Sequence, residues 1–400
     1  MSGSKTLIVI LAALLLNCQE TVETAPHGSP PVAKKYLLSI TPGATTSKIT
    51  LQLLASAFGQ EDLSALLQYD VKAYTITYET TYKGTPVEAS GLIMLPSGMK
   101  DAAPIVSLQH GTEFRKGDAP SVKEGFQGLE FFASAGYITL MPDFLGYGSS
   151  DSIFHPYYDR AHAASTVIDL IKAAREFFGE EKVAVDDRLF LAGYSEGGYV
   201  TLATAKEIEE NPDHDLKVTA VAAGAGGYDL PEMLSEITSD DYYAYPSYLA
   251  FLIMAYNETY DWNKPLNYFF REDYANALGR FLNGEYSGSY INSRLTTHIP
   301  TLFNSGFYEA LQDPVGQRQF KEALEKNSVA GWKTQVPIRL FHGTKDEIIP
   351  FENSESTLRQ FHAAGSEQVT LTAIAGGTHS NSFEPMLRNF VPWFLSFNGK

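Results

Sequence analysis

An α/β fold, with a mainly parallel β-sheet flanked by helices and a helical insertion, is the architecture that this sequence predicts. Apolar runs that resemble buried strands alternate with helix-like segments along most of the chain. A leading pair of runs that alternate apolar and polar residues indicates a β-hairpin at one edge of the sheet. Residues 227–335 contain no clear strand and are too long for a simple connection, so we expect a helical cap inserted there.

The composition narrows the class of protein. The chain has 400 residues, of which 44% are hydrophobic and 19% charged, which is ordinary for a globular protein with a substantial core. Its formal net charge of −17 argues against a nucleic-acid partner, because phosphate binding requires a basic face. The single cysteine, Cys18, precedes the folded part, which therefore lacks disulfides, a cysteine nucleophile and any thiolate metal site.

The N-terminus resembles an export signal. Lys5 precedes an apolar run from Leu7 to Leu16. A short positive region followed by such a run is typical of a secretion signal. The run is also shorter than the ~20 residues that a membrane-spanning helix needs. We therefore expect residues 1–17 to be a signal peptide and the protein to be exported.

Cys18 follows this signal directly, in the stretch LLLNCQE. Its position resembles that of the lipidated cysteine in bacterial lipoproteins, although Asn17 stands where Gly, Ala or Ser is usual. Two outcomes stay open: a lipid anchor through Cys18 in a bacterial envelope membrane, or simple secretion after cleavage before Pro26. Residues 18–35 are rich in Pro, Thr and Glu, and we expect them to form a flexible tether.

The predicted core comprises residues 36–226 and 336–400, with the cap, 227–335, between its two parts. The predicted elements of the core follow one another in a βα rhythm. In chain order they are a helical region at 47–67, a hairpin at 71–96, a strand at 103–111, a helix at 124–136, a strand at 137–143, a helix at 161–180, a strand at 188–193, a helix at 196–211, strands at 218–226, 336–343 and 368–377, and a helix at 385–397.

The motif GYSEG places Ser195 in a tight turn between a predicted strand and a predicted helix. Such a turn strains its central residue and crowds its neighbours, and Gly193 and Gly197 relieve the crowding. Gly198 leaves room for the helix to pack closely. The turn presents the hydroxyl at the helix N-terminus, where backbone N–H groups favour negative charge. Alone, the motif is equally compatible with an ordinary glycine-rich turn; with suitable partners, Ser195 is a nucleophile.

Those partners follow two later strands. A serine nucleophile needs a base, and the base needs an orienting carboxylate. Asp346 comes just after one predicted strand and His379 just after the last one, and carboxyl ends of parallel strands meet at one edge of the sheet. Glu347 adjoins Asp346 as an alternative carboxylate. The order Ser, Asp, His along the chain is the order that one fold uses for this chemistry.

An oxyanion forming at the substrate carbonyl needs N–H donors. We expect one from the backbone of Glu196, the residue after the nucleophile. The other is expected from the loop after the strand at 103–111, where His110 and Gly111 allow a close turn and the N–H of Thr112 is favoured over that of Gly111. A simpler interpretation is that His110 and Gly111 merely end the strand.

The sequence offers no metal or cofactor site. No His/Glu set has metal-ligand spacing, and no glycine-rich loop carries the lysine of a phosphate-binding motif. We expect the loop PDFLGYGSSD to have a structural role, with the side chain of Asp143 or Asp151 making hydrogen bonds to backbone groups.

With these residues placed, the chain resembles the α/β-hydrolase family from about Tyr74 to Phe397, the cap excepted. The motifs QHGT, PDFLGYGSSD, GYSEGG and HGTKDEIIP are similar to those of its secreted lipase/esterase group. The resemblance implies a carboxylic-ester hydrolase, esterase or lipase, that forms an acyl-enzyme on Ser195 with His379 and Asp346 as partners, and that needs no cofactor.

The substrate is expected to be a small-molecule or lipid ester, and the aromatic-rich cap bears on its choice. Tyr243 and Trp262 of the cap, together with His110, Gly111 and Tyr194, are candidates for the substrate pocket, although the cap aromatics are equally compatible with a cap core. Two other functions stay open: a serine peptidase of similar fold, and a non-catalytic surface-binding lipoprotein. An epoxide hydrolase or dehalogenase is disfavoured, because the resembled enzymes of those kinds carry Asp where Ser195 stands.

Overall fold

The computed structural model of the chain describes residues 34–399, and the elements below belong to one unit, Lys35–Lys400. The predicted signal peptide, Cys18 and nearly all of the predicted tether lie outside the described residues. None of the described helices combines the length and the apolarity needed to cross a membrane.

One nine-stranded sheet runs through the described residues, in the order β1-β2-β3-β5-β4-β6-β7-β8-β9. Strands β4 to β9 pair in parallel, whereas β1, β2, β3 and β5 pair antiparallel with one another. The predicted mainly parallel sheet with an antiparallel edge is thus confirmed. The strands are β1 (Leu37–Thr46), β2 (Asp70–Tyr82), β3 (Thr85–Ser97), β4 (Ala103–Gln109), β5 (Ile138–Pro142), β6 (Val185–Tyr194), β7 (Ala220–Gly224), β8 (Ile338–Gly343) and β9 (Val369–Ile374).

Helices cover the sheet and fill the insertion between β7 and β8. The helices of the core are α1 (Lys48–Ala57), α2 (Glu61–Ser64), α3 (Leu129–Ser134), α4 (Arg160–Glu181), α5 (Glu196–Glu210), α14 (Phe351–Ala363) and α15 (Phe383–Leu395). Those between β7 and β8 are α6 (Leu230–Ser239), α7 (Pro246–Thr259), α8 (Leu266–Phe269), α9 (Glu272–Phe281), α10 (Gly288–Asn292), α11 (Ile299–Leu302), α12 (Ser305–Gln312) and α13 (Arg318–Asn327). Short 3₁₀ turns lie at Lys116–Asp118, Gly148–Ser150, Pro212–His214 and Ser396–Gly399.

The two faces of the sheet bury separate apolar clusters, because successive side chains of a strand point to opposite faces. In β6, Leu189 and Leu191 pack with α4, α5 and the helices of the insertion. Phe190 and Ala192 pack on the other face with α1, α3 and α15. A site at the edge of this sheet therefore has two differently built walls.

The parallel strands position the residues singled out in the sequence. β4, β6, β8 and β9 end at Gln109, Tyr194, Gly343 and Ile374, and all four point the same way in the sheet. The loops after these ends carry Thr112, Ser195, Asp346 and His379, respectively. Four distant stretches of sequence thus meet at one edge of the sheet.

Two elements differ from the sequence prediction. The sequence did not predict β1. Only Leu37 of its ten residues is buried, and the strand therefore lacks the alternation of apolar and polar residues that signals a half-buried strand. The helix predicted at 124–136 is shorter, because Gly125 and Gly128 adopt left-handed backbone angles (φ 97° and 85°), and the helix begins only at Leu129.

Candidate active site

The turn around Ser195 is strained, and its glycines are sterically required. Ser195 has φ 60° and ψ −126°, a conformation that non-glycine residues rarely adopt. A Cβ on Gly193 would lie 2.2 Å from the carbonyl oxygen of Gly197, and one on Gly197 would lie 2.1 Å from that of Gln109. Neither position tolerates a side chain without backbone movement, so this turn is built to hold Ser195 in one orientation.

Ser195, His379 and Asp346 form a continuous hydrogen-bonded row. The Ser195 hydroxyl lies 2.9 Å from Nε2 of His379. Nδ1 of His379 lies 2.7 Å from Oδ2 of Asp346. The Asp346 side chain is wholly buried and the His379 side chain is 10% exposed. This geometry lets the carboxylate fix the imidazole tautomer that accepts a proton from the hydroxyl.

Asp346 is held as an anion by its neighbours. Its Oδ1 accepts the backbone N–H groups of Ile348 and Ile349, each at 2.9 Å. Burial alone raises the pKa of Asp346, but hydrogen bonds from His342 and His379 outweigh it and hold the pKa well below its usual range. Nε2 of His342 lies 3.2 Å from Oδ2 of Asp346.

The backbone of His379 is fixed from two sides. Oε2 of Glu347 accepts its N–H at 3.1 Å. The hydroxyl of Tyr194 donates to its carbonyl oxygen at 2.6 Å, and the two rings lie 5.3 Å apart. The two adjacent carboxylates therefore differ in their contacts: Asp346 meets the imidazole, and Glu347 meets the main chain.

The loop after β4 lies against the strained turn. A Cβ on Gly111 would lie 3.6 Å from Cβ of Ser195 and 3.5 Å from the carbonyl oxygen of Tyr194. The Thr112 hydroxyl is paired with that of Tyr157 at 2.9 Å, which fixes the residue whose amide the sequence favoured. The amide of Glu196 lies in the first turn of α5, where N–H groups have no acceptor within the helix.

His110 acts as a fixed part of this loop. Its Nδ1 lies 2.7 Å from the carbonyl oxygen of Gly111 and its Nε2 lies 3.2 Å from that of Asp143. The ring stacks on Phe144 at 4.1 Å. Burial lowers the pKa of His110, so the neutral ring donates a hydrogen bond to only one of these two carbonyl oxygens.

The side chain of Glu196 makes a contact that sequence reasoning missed. Its Oε1 lies 2.6 Å from Nε2 of His155, and Nδ1 of His155 lies 2.6 Å from the carbonyl oxygen of Leu145. Both side chains are buried, and Oε2 has no hydrogen-bond partner among the described protein atoms. Because His155 and Glu196 are 41 positions apart, no local pattern signals this pair.

Glu113, one residue after Thr112, has a raised pKa. Burial raises its pKa to about 7, with smaller contributions of the same sign from Asp118 and Glu196. Its carbonyl oxygen also accepts a hydrogen bond from the hydroxyl of Tyr147. A carboxyl group that titrates near neutrality therefore lies beside the loop that contacts Ser195.

A large apolar cavity adjoins the site on the face of α3 and α15. Its volume is about 620 Å³. We call it the α3–α15 cavity; its walls come from segments within 58–66, 108–111, 126–141, 192–194 and 383–392. Three of the predicted pocket residues line it: His110, Gly111 and Tyr194.

The other two predicted pocket residues lie elsewhere. The hydroxyl of Tyr243 donates to the carbonyl oxygen of Ile348, in the loop that holds Asp346, at 3.0 Å. Trp262 packs within the insertion, with its ring 5.9 Å from that of Tyr260 and 6.1 Å from that of Phe320. Neither residue lines the α3–α15 cavity. Tyr243 thus tethers the insertion to the site, and Trp262, which is half-buried, packs against the core of the insertion.

The residues of the site contain no evident metal centre. In the described part of the chain, no group of three or more His, Cys, Asp or Glu side chains is arranged to hold a metal ion.

Comparisons with known proteins agree with this architecture. Residues 129–385 match the family described as secretory lipase, and this match supports an exported ester hydrolase. Lipase 4 of Candida albicans is 21% identical to the chain over 318 residues, which are 78% of this chain and 66% of that lipase. The chain thus spans slightly less than two thirds of that relative.

Two solved structures are similar over nearly their whole length. A protein of Legionella pneumophila superposes on this chain with a TM-score of 0.83 at 24% identity. The superposed region includes 92% of this chain and 99% of the Legionella protein. The ligand-bound form of the rice cell wall degrading esterase LipA from Xanthomonas oryzae gives a TM-score of 0.79 at 25% identity, covering 91% of this chain and 97% of its own. The predicted α/β-hydrolase fold is confirmed.

Proposed function

The chain belongs to the secretory lipase family, and on that premise we propose that it is a serine hydrolase that cleaves carboxylic esters through an acyl-enzyme. Ser195 is the nucleophile, His379 the general base and acid, and Asp346 the carboxylate that orients the imidazole. The observation that carries the proposal is the row of two hydrogen bonds, 2.9 Å and 2.7 Å, that joins the three side chains.

The first half of the reaction forms the acyl-enzyme. Oγ of Ser195 attacks the ester carbonyl carbon while Nε2 of His379 takes the hydroxyl proton. The negative charge on the former carbonyl oxygen is stabilised by the backbone N–H groups of Glu196 and Thr112. His379 then gives its proton to the alkoxide oxygen of the alcohol as the C–O bond breaks.

The second half releases the acid. A water molecule gives a proton to Nε2 of His379 and attacks the acyl carbon, and the same two amides stabilise the second tetrahedral intermediate. Collapse of that intermediate returns the proton to Oγ of Ser195 and releases the carboxylic acid. Asp346 stays ionised throughout and stabilises the imidazolium in both halves, in line with its depressed pKa.

The insertion between β7 and β8 acts as a cap over this site. Its Tyr243 and Tyr245 contact the loop after β8: Tyr243 donates to Ile348, and the hydroxyl of Tyr245 lies 3.4 Å from Glu347. These contacts support a cap that limits which esters reach Ser195.

For the exported protein, we propose attachment to a bacterial envelope membrane through a lipidated Cys18. A mass measurement of the mature N-terminal peptide tests this attachment.

The direct test is hydrolysis of p-nitrophenyl butyrate by the wild type and by Ser195→Ala. The variant is expected to lose activity by a factor on the order of 10⁴ or more, because no other group replaces the nucleophile. Ser289→Ala, at an exposed position of α10, is the matched control and should keep wild-type rates. Unchanged hydrolysis by Ser195→Ala would refute the mechanism.

The same assay separates the two rival functions. A serine peptidase of similar fold would cleave aminoacyl p-nitroanilides as readily as the ester, whereas the proposed esterase cleaves only the ester. A non-catalytic surface-binding lipoprotein would hydrolyse neither substrate. Ester turnover that disappears in Ser195→Ala therefore supports the proposal against both.

A further inference from the structure

The hydrogen-bonded row that begins at Ser195 continues past Asp346 into the interior of the protein. Oδ2 of Asp346, which pairs with Nδ1 of His379, also lies 3.2 Å from Nε2 of His342. Nδ1 of His342 in turn lies 2.7 Å from the hydroxyl oxygen of Ser354 in α14. The side chains of Asp346, His342 and Ser354 are wholly buried. The proposed reaction uses the first three members of this longer row and leaves the last two without a role.

The contacts of His342 determine which of its ring nitrogens carries the hydrogen. Nε2 faces two acceptors, Oδ2 of Asp346 at 3.2 Å and the carbonyl oxygen of Ile349 at 3.0 Å. Because neither the ionised carboxylate nor the carbonyl group can donate, the hydrogen lies on Nε2. Nδ1 of the neutral ring is then an acceptor, and the hydroxyl of Ser354 donates to it. The ring is therefore held as a donor to the carboxylate that orients the catalytic imidazole.

The loop that carries Asp346 is folded around this buried imidazole. His342 is the next-to-last residue of β8, and the loop leads from β8 to α14. Oδ1 of Asp346 accepts the backbone N–H groups of Ile348 and Ile349, whereas His342 contacts Oδ2 and the carbonyl oxygen of Ile349. The ring of Phe351 packs edge-on against the imidazole, with 5.7 Å between the ring centroids. Without this imidazole, the catalytic histidine alone would hold Oδ2.

The same contact affects the charge of Asp346. Burial raises the pKa of this carboxyl group, and the hydrogen bond from His342 is the largest of the contacts that lower it. The imidazolium that forms on His379 during the reaction needs an ionised partner that does not take its Nδ1 proton. A carboxylate that accepts a second donor on Oδ2 keeps its negative charge and its place beside Nδ1 through each proton transfer.

We propose that His342 is a positioning residue of the reaction, which acts through Asp346 by holding Oδ2 in line with Nδ1 of His379. This inference rests on the proposed function. Among the hydrogen bonds of the described residues, those of His342 reach the catalytic row only at Asp346. A change at His342 therefore slows the attack by Ser195 only while the Asp346 carboxylate is present.

Two substitutions separate the hydrogen bond to Asp346 from the mere presence of a polar side chain. In His342→Gln, the amide nitrogen can take the place of Nε2 and donate to the carboxylate. In His342→Asn, the shorter side chain reaches only the place of Nδ1, so the donor to Asp346 is lost. The measurement is the rate constant at which a fluorophosphonate labels Ser195, followed by intact-mass spectrometry. This rate constant reports the reactivity of the folded molecules and does not depend on how many of them are folded.

The two variants should differ in labelling rate. We expect His342→Asn to label at least about ten-fold more slowly than the wild type, as for a lost hydrogen bond to a charged group. His342→Gln should label within about three-fold of the wild type, because the donor is restored. His362→Asn is the matched control and should keep the wild-type rate, since Nε2 of His362 contacts the backbone carbonyl oxygen of Val369, at 3.1 Å. A wild-type rate in His342→Asn, or equal slowing in both variants at His342, would overturn the proposal.

A double-variant cycle decides whether His342 acts through Asp346. In an Asp346→Ala background, His342→Asn should change the labelling rate by less than about two-fold, because no carboxylate remains to be held. Slowing by the same factor in both backgrounds would show a purely structural role for His342 and would overturn the proposal. Failure of the proposed function looks different: Ser195→Ala would still hydrolyse p-nitrophenyl butyrate, or Asp346→Ala alone would label as fast as the wild type.

Discussion

Two histidine–carboxylate pairs meet the turn that carries Ser195, and they are built for different tasks. His379 and Asp346 are 2.7 Å apart, and His155 and Glu196 are 2.6 Å apart. The second nitrogen of His379 faces the Ser195 hydroxyl, whereas that of His155 is taken by a backbone carbonyl. A histidine–carboxylate pair becomes a base only where its remaining nitrogen faces a nucleophile; otherwise it ties segments of the chain together.

The surroundings of the two carboxylates reinforce this difference. Asp346 receives two backbone amides on Oδ1 and contacts two imidazoles through Oδ2, so both of its oxygens are paired. Glu196 has one oxygen paired with His155 and the other without a partner among the described atoms. We therefore expect changes at the first pair to abolish activity with the fold kept, and changes at the second pair to weaken the fold.

The largest effect is expected for Asp346→Asn. The amide does not stabilise the imidazolium and favours the wrong tautomer of His379, so kcat should fall by about 10⁴-fold. The measurement is p-nitrophenyl butyrate hydrolysis, with circular dichroism as the fold control. A loss smaller than about ten-fold would assign the orienting role to another carboxylate, with Glu347→Gln as the variant to compare.

The same variant should change how stability depends on pH. Because the folded pKa of Asp346 lies below its unfolded value of ~3.9, the ionised group stabilises the fold above that pH, and the contribution is lost as the pH falls through the folded pKa. The difference in Tm between the wild type and Asp346→Asn should be constant from pH 7 to 5 and narrow below about pH 4. A difference that widens on acidification would contradict the assigned pKa shift.

At the second pair, His155→Leu should lower the free energy of unfolding by about 3–5 kcal/mol, because it leaves the Glu196 carboxylate buried without a partner. Urea unfolding measures the loss. The double variant His155→Leu, Glu196→Met should recover much of it, since no buried charge remains. A single variant as stable as the wild type would show that this pair does not support the fold.

Ser195 itself allows a comparison between activity and strain. Ser195→Gly and Ser195→Ala both remove the nucleophile, but only glycine adopts the backbone angles of this turn without strain. We expect Ser195→Gly to be more stable than Ser195→Ala by about 1–2 kcal/mol in urea unfolding. Equal stabilities would mean that the turn stores little strain.

The smallest effect is expected at Glu113. Its folded pKa of about 7 lies above the unfolded value of ~4.3, so the wild type loses stability as the pH rises from about 4.3 to 7. Glu113→Gln lacks this titration. The Tm of Glu113→Gln minus that of the wild type should therefore be about 1–3 °C larger at pH 8 than at pH 5. Parallel Tm curves for the two proteins would argue against the raised pKa.

Much of the site was predictable because the signals are local. Gly193 and Gly197 mark the turn at Ser195, and Asp346 and His379 each follow a recognisable apolar strand. Parallel strands bring their carboxyl ends to one edge, so strand ends far apart in sequence are expected to meet. The parallel sheet follows from the same alternation of strand and helix.

The features that sequence reasoning missed depend on tertiary contacts or lack a periodic signal. β1 is mostly exposed and shows no alternation of apolar residues. The contact between His155 and Glu196 joins positions that no short pattern connects. The α3–α15 cavity is an absence of packing between α3, α15 and the α1–α2 region, which no sequence pattern signals. For Trp262 the sequence left a substrate pocket and a cap core open, and the ring packs against Tyr260 and Phe320 within the insertion.

The most direct test of the difference between the two pairs is the rate at which a fluorophosphonate labels Ser195. His379→Asn and His155→Asn make the same change at each pair, and intact-mass spectrometry follows the adduct on folded protein. We expect His379→Asn to label at least 10³-fold more slowly than the wild type, because the hydroxyl has lost its base. His155→Asn should label within about ten-fold of the wild type. Fast labelling of His379→Asn, or equal loss in both variants, would contradict the assignment of His379 as the base.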